Sequence, residues 1–239
     1  LTIFMKKIVT ICISLLVFSF TLYPNDLDSK KVGLVLSGGG VKGFGHLGTL
    51  QLIDSLNIKV DYIVGSSIGA ITAALYATGH SIEEINQIAS IANWDELFGV
   101  AKNRNRLYYF QKHDADKFQL SFSLKKLKPI PPISLSNGQY SYEYLSDIFI
   151  NYSDVSNYDN LIVPFRCNAT NIITGEEVIF NKGSISTALR ISTSIPTIFS
   201  PINYQNNLLV DGGLVNNLPT NLAEDLGANF IIASNVMSV

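Results

Sequence analysis

The sequence predicts an α/β protein built on a central, largely parallel β-sheet. Three observations predict it. Short apolar, β-branched runs alternate with stretches of helical periodicity. The links between them are short and marked by glycine, as βαβ units require. Hydrophobic residues make up 47% of the 239 and charged residues 15%, which suits a packed core and excludes a disordered chain.

The elements follow in order. "MKK" at 5–7 precedes a fifteen-residue apolar run, "IVTICISLLVFSFTL", too short to span a bilayer comfortably. This pattern predicts a secretory signal peptide with a short linker over 1–28 and a folded domain over 29–239; an uncleaved anchor is the alternative. "KVGLVLS" (31–37) reads as a buried strand. In 44–56, Leu47, Leu50, Ile53 and Leu56 recur at near-helical spacing. "VDYIVG" (60–65) is a second strand, and "SIGAITAALYATG" (67–79) a buried helix ending at glycine. "SIEE" (81–84) is a capping box.

Residues 101–136 break the rhythm, with eight basic side chains against two acidic ones, a local charge of +6. Within them "KFQLSFSLK" alternates Phe118, Leu120, Phe122 and Leu124, predicting a strand with one apolar face, and "KPIPPIS" is expected to end regular structure. The segment suits contact with an anionic membrane surface; it equally suits a hairpin packed on the core with its charges solvated. Beyond it come a helix over 139–150, a strand with a turn in "VPFRCNATNIITGEEVIF", a helix begun near Ser186, the strand "NLLVDGG", and a helix stopped at Gly227 before a last strand.

The net charge of −2 gives no reason to expect nucleic acid. Cys12 lies in the leader, leaving Cys167 alone, and His46, His80 and His113 are far apart, so no disulfide, metal or cofactor is expected.

"SGGGVKGFGHLG" (37–48) holds six glycines in twelve residues, directly after the first strand. Gly38, Gly40 and Gly43 match a dinucleotide fingerprint, but the acid that should end the second strand is missing: Asp61 begins it. "GSSIG" (65–69) fits a nucleophile elbow between strand and helix, with Ser67 at its centre and Ser66 turned elsewhere. The last histidine is His113 and none follows any acid beyond it, so Asp211 cannot be the middle member of a Ser–Asp–His order. Asp211, at the end of an apolar strand in "LVDGG", can deprotonate a serine within hydrogen-bond reach. An aspartate so placed equally suits a turn in which it bonds its own backbone. Acyl transfer creates an oxyanion, which backbone N–H groups at Gly39, Gly40 and Val41 could face. His46 reads as a helix-surface or loop-packing residue, and Lys42 as a solvated loop charge or one that holds the loop by a salt bridge.

These residues carry a resemblance. "GGGVKG", "GSSIG", "ALRISTSIPTIFSPI" (188–202) and "VDGGLVNNLP", in that order, resemble the patatin-like phospholipases, and "WDELF", "NATNIITGEE" and "EDLGANFIIASNV" resemble their exported bacterial members. The likeness covers about residues 30–239. It implies a three-layer α/β/α fold and a metal-free lipid acyl hydrolase acting on phospholipid or another lipid ester. It implies a dyad of Ser67 and Asp211, and an oxyanion loop of Gly38, Gly39, Gly40 and Val41. The implied location is the periplasm, outer membrane or surface of a bacterium. A catalytically idle domain that binds lipid or a partner is the alternative. The sequence departs from the family at Ile191 and Ser194, where alanine is usual.

Overall fold

The computed structural model describes residues 30–97, 108–109, 123–125, 128–130 and 134–237. The leader and most of the basic segment 101–136, with Phe118, Leu120 and Phe122, lie outside the described residues.

Strand β1 (Val32–Leu36) is buried along its whole length, as the uninterrupted apolar run requires of a central strand. A 3₁₀ turn (Gly40–Phe44) leads into helix α1 (Gly45–Ser55). Strand β2 (Tyr62–Gly65) and helix α2 (Ile68–Ala77) follow. Helix α2 is rich in alanine; Ala70, Ala73, Ala74 and Ala77 are wholly buried, so it lies close against the sheet. The expected capping box opens helix α3 (Ile82–Ile91): Glu84 N–H donates to Ser81 Oγ at 3.2 Å, and Ser81 N–H to Glu84 Oε2 at 2.8 Å. A short helix α4 (Trp94–Leu97) ends this part of the chain.

Strands β3 (Ser123–Lys125) and β4 (Lys128–Ile130) form an antiparallel pair. "KPIPPIS" therefore does not begin by ending regular structure, because its first three residues are β4. Pro129 is accommodated because both strands of a two-stranded ribbon are edges, where a missing N–H goes unmissed. Helix α5 (Gln139–Ile148), strands β5 (Phe165–Asn171) and β6 (Glu177–Phe180) and helix α6 (Ile185–Ser192) come next. Strands β7 (Ile202–Tyr204) and β8 (Asn207–Asp211), helix α7 (Thr220–Asp225) and strand β9 (Phe230–Ser234) complete the chain.

The main sheet runs β7-β8-β5-β2-β1-β9, with β6 also on β5. Strands β9, β1, β2 and β5 pair in parallel, while β6, β7 and β8 add antiparallel pairings. Alternation along β1 divides the core: Leu34 and Leu36 face helices α1 to α3, α5 and α6, while Val35 faces Leu222 and Ala223 of α7. The result is the expected three-layer α/β/α arrangement.

One register detail positions the site. Strand β6 pairs with Cys167–Thr170 of β5, overlapping both β2, on Phe165–Cys167, and β8, on Ala169–Asn171. A strand has two edges, so β2 and β8 must share the edge that β6 leaves. They approach along it from opposite directions. The end of β2, at Gly65, lies opposite Cys167, and the end of β8, at Asp211, opposite Ala169.

Candidate active site

Meeting head-on along β5, β2 and β8 bring Ser67 and Asp211 together from 144 residues apart. Ser67 Oγ donates to Asp211 Oδ2 at 2.5 Å, and both residues are buried. Ser67 precedes the first turn of α2 with φ 54° and ψ −126°, a backbone state costing a non-glycine residue about 1–3 kcal/mol. Its N–H donates to Ser192 Oγ at 3.1 Å, at the end of α6. That bond ties the strained turn to a second element. The sequence reading did not single out Ser192; its only signal is its place in "RISTSIP".

The glycines of "GSSIG" are required by crowding. A side chain at Gly65 would run into the Gly69 carbonyl, and one at Gly69 into the Leu36 carbonyl. Both obstacles are backbone and cannot swing aside. Gly69→Ala is expected to destabilise the fold by at least about 1–3 kcal/mol, the usual cost of overpacking. Urea unfolding should show this as a lower midpoint with unchanged slope.

Asp211 is held on every side. Its Oδ1 accepts Gly213 N–H at 2.7 Å, its N–H donates to Ser194 O at 3.0 Å, and its carbonyl accepts Thr170 Oγ1 at 2.8 Å. The turn bond from Gly213 and the bond from Ser67 use different carboxylate oxygens, so the two sequence readings of Asp211 describe one residue. Burial raises its pKa above the ordinary carboxylate value, against the lowering effect of the Ser67 and Gly213 bonds. A carboxylate so desolvated is a stronger base than one in water.

The glycine loop passes beside Ser67. A side chain at Gly38 would meet Asn217 Oδ1 and crowd Ser67 Cβ. The Gly38 N–H donates to Asn217 O at 3.1 Å, so this residue anchors the loop and has no hydrogen left for an oxyanion. Among the described residues, no backbone carbonyl takes up the N–H groups of Gly39, Gly40 or Val41, which open the 3₁₀ turn. Lys42 is exposed on that turn.

His46 is not on a helix surface. It is fully buried, with Nε2 2.8 Å from Ser37 O and Nδ1 2.9 Å from Ser234 Oγ. A carbonyl only accepts, so Nε2 carries the proton and Nδ1 accepts from Ser234. Burial lowers its pKa, against the opposing pull of the Ser37 bond. His46 thus ties the end of β1 to the end of β9. His80 bonds Thr78 Oγ1 and Leu75 O and stacks edge-on against Phe149. His113 lies outside the described residues. Asp61 sits at the opposite end of the strands, accepting Val32 N–H and pairing with Lys31 and Lys59, where no dinucleotide ribose could reach it. Among the described residues no three metal-ligating side chains gather.

Ile191 and Ser194 are both fully buried. Ile191 joins the main core, and the Ser194 hydroxyl accepts from Arg190 Nη1 at 2.7 Å while donating to Arg190 O at 2.8 Å. The two departures from the family pattern are therefore absorbed by packing and hydrogen bonding.

Ser67 opens onto a cavity with about 940 Å³ of space, counting its open mouth. Gly40, Val41, Thr193, Ile195 and Phe199 surround the end near Ser67. Three helices supply most of the rest, each with one stripe at helical spacing. Ile68, Ile71, Thr72 and Leu75 come from α2; Ile85, Ile88 and Ala89 from α3, with Ala92 as its C-cap; Ser141, Tyr144, Leu145 and Ile148 from α5. The walls are overwhelmingly apolar, and Ser67, bonded to the Asp211 carboxylate, is among the lining residues.

A family model described as patatin-like phospholipase matches residues 34–224. The lysophospholipase NTE1 of Debaryomyces hansenii is 30% identical over 213 residues, and that of Scheffersomyces stipitis 31% over 212. In both cases 89% of this chain is covered, but the chain spans only 12% of the relative's length. The crystal structure of VipD from Legionella pneumophila superposes with a TM-score of 0.50 at 19% identity, over 80% of this chain and 47% of VipD.

Proposed function

The chain belongs to the patatin-like phospholipase family, and from that premise we propose that it is a serine lipid acyl hydrolase with Ser67 as nucleophile and Asp211 as base. The observation that carries this reading is the 2.5 Å bond to Asp211 from the Oγ of Ser67, a residue that lines an apolar cavity.

As Ser67 Oγ attacks the ester carbonyl carbon, Asp211 Oδ2 takes its proton. The carbonyl oxygen becomes an oxyanion facing the N–H groups of Gly39, Gly40 and Val41. Collapse breaks the bond to the alcohol, which leaves with the proton from Asp211. Water then attacks the acyl-serine, Asp211 accepts a proton from it, and the free acid departs as Ser67 recovers its hydrogen. The lysophospholipase names of the fungal relatives support a lipid ester with one acyl chain as substrate. The test is acid release from such an ester by the folded protein, and its loss when Ser67 is replaced.

Export is part of the proposal and rests on the apolar leader. The curated relatives named above are fungal, so kinship with exported bacterial members rests on the motifs and the leader alone. No described helix is long and apolar enough to cross a membrane. Contact with anionic lipid through residues 101–136 is likewise proposed, on their +6 charge. Each basic residue near an anionic surface contributes about 1 kcal/mol, screened within about 8 Å by physiological salt. The protein is therefore expected to sediment with anionic vesicles more than with zwitterionic ones, and salt should release it. Changing Lys125, Lys126 and Lys128 together to glutamine should weaken the binding by up to about a hundredfold. Equal sedimentation with both vesicle types would leave the charges merely solvated.

A further inference from the structure

The cavity behind Ser67 has a direction and a closed end. Helix α2 begins at Ser67 and carries its stripe inward to Leu75. Helix α5 runs the same way. Ser141, near its start, donates to Leu97 O, beyond the end of α3, while beyond the end of α5 Tyr152 Oη donates to Thr78 O, just past α2. Helix α3 runs the opposite way, because it starts directly after α2 turns back. Leu75, Ile85 and Ile148 therefore share one level at the inner end.

Behind that level the space is filled. His80 stacks on Phe149, which is wholly buried, and Tyr152 is tied to Thr78. The α3 stripe also tapers, from Ile85 and Ile88 deep in the slot to Ala89 and Ala92 nearer the mouth. From Ser67 to Leu75 is eight residues of helix, or about 12 Å, a length that a straight alkyl chain fills with roughly ten carbons.

We infer that this slot takes one straight acyl chain and that the layer of Leu75, Ile85 and Ile148 caps it near ten carbons. The inference rests on the hydrolase reading for its chemistry. It adds a chain-length limit and the residues that set it. A chain within the limit gains from each methylene it buries. A longer one must leave its excess outside or buckle against the floor.

Binding of free alkanoic acids tests the slot without requiring turnover. Calorimetric titration of the intact protein with hexanoate, octanoate, decanoate, dodecanoate and palmitate should show affinity rising about fourfold per added methylene while the chain fits. The rise should break near decanoate. Ala89 lies one helical turn above Ile85, about 6 Å from the floor. Ala89→Leu should therefore obstruct the slot halfway and move the break to about hexanoate. Ile148→Ala should deepen the slot and move the break to dodecanoate or beyond. Shifts in opposite directions cannot arise from general damage to the fold. An unbroken rise through palmitate, or one break shared by all three proteins, would overturn the inference. A broken profile in a protein that hydrolyses no ester would uphold the slot and overturn the hydrolase reading instead.

Discussion

Ser67→Ala is expected to remove ester turnover almost entirely, by a factor on the order of 10⁶ where a serine nucleophile carries the reaction. The expectation follows from where Ser67 stands. Its hydroxyl reaches both the Asp211 carboxylate and the cavity, while that of its neighbour reaches neither. Ser66 Oγ is fully buried without a hydrogen-bond partner in the described structure, so it has nothing to deprotonate it. A fluorophosphonate probe should therefore label Ser67 alone, with the adduct mapped by peptide mass spectrometry. An adduct on Ser66, or an active preparation that takes up no probe, would sink the assignment. Stability should move the other way. The positive φ of Ser67 is a strain that glycine does not feel, so Ser67→Gly should be inactive and more resistant to urea than the parent. A variant both inactive and less stable would point to a structural role for this serine.

The parts of the site legible in the sequence are those with local causes. The elbow needs small residues within two positions of Ser67, the capping box is complete in four residues, and Asp211 follows its own apolar strand. The parts that were not legible depend on contacts between distant segments. Nothing near Gly38 announces that Asn217 O takes its N–H, so the resemblance placed Gly38 in the oxyanion loop beside the three donors when it is an anchor. His46 reads equally as a helix-surface or a loop-packing residue, and only the two strand ends that close over it decide between them. Ser192 is one of several small residues in its segment, and only the approach of α6 to the elbow selects it. The pairing of Ser67 with Asp211 falls between these cases. Each end was readable, but the sharing of one edge of β5 by β2 and β8 is a fact of register. The slot is of the same kind: its three stripes are ordinary amphipathic faces until the directions of their helices are known.

Asp211→Asn is expected to lower kcat by roughly 10²–10⁴, the usual contribution of a general base. The amide keeps the shape of the side chain, and its oxygen can still accept Gly213 N–H. Its nitrogen then faces Ser67 Oγ as a donor, so the serine proton has nowhere to go. Since burial lifts the Asp211 pKa, the acid limb of kcat/KM should lie above the ordinary carboxylate range and should be absent in the asparagine variant. The stability signature has a definite sign. A carboxylate with a raised folded-state pKa keeps its proton at pH values where the unfolded chain has released it. Folding stability therefore falls as pH rises from the unfolded pKa through the folded one. The asparagine variant lacks that fall and should be at least as stable as the parent at neutral pH. His46→Ala and His80→Ala, assayed where they remain folded, should keep substantial activity, because neither ring contacts Ser67 or Asp211. His113→Ala is expected to do the same. A folded histidine variant as inactive as Asp211→Asn would refute the dyad and require a third catalytic group.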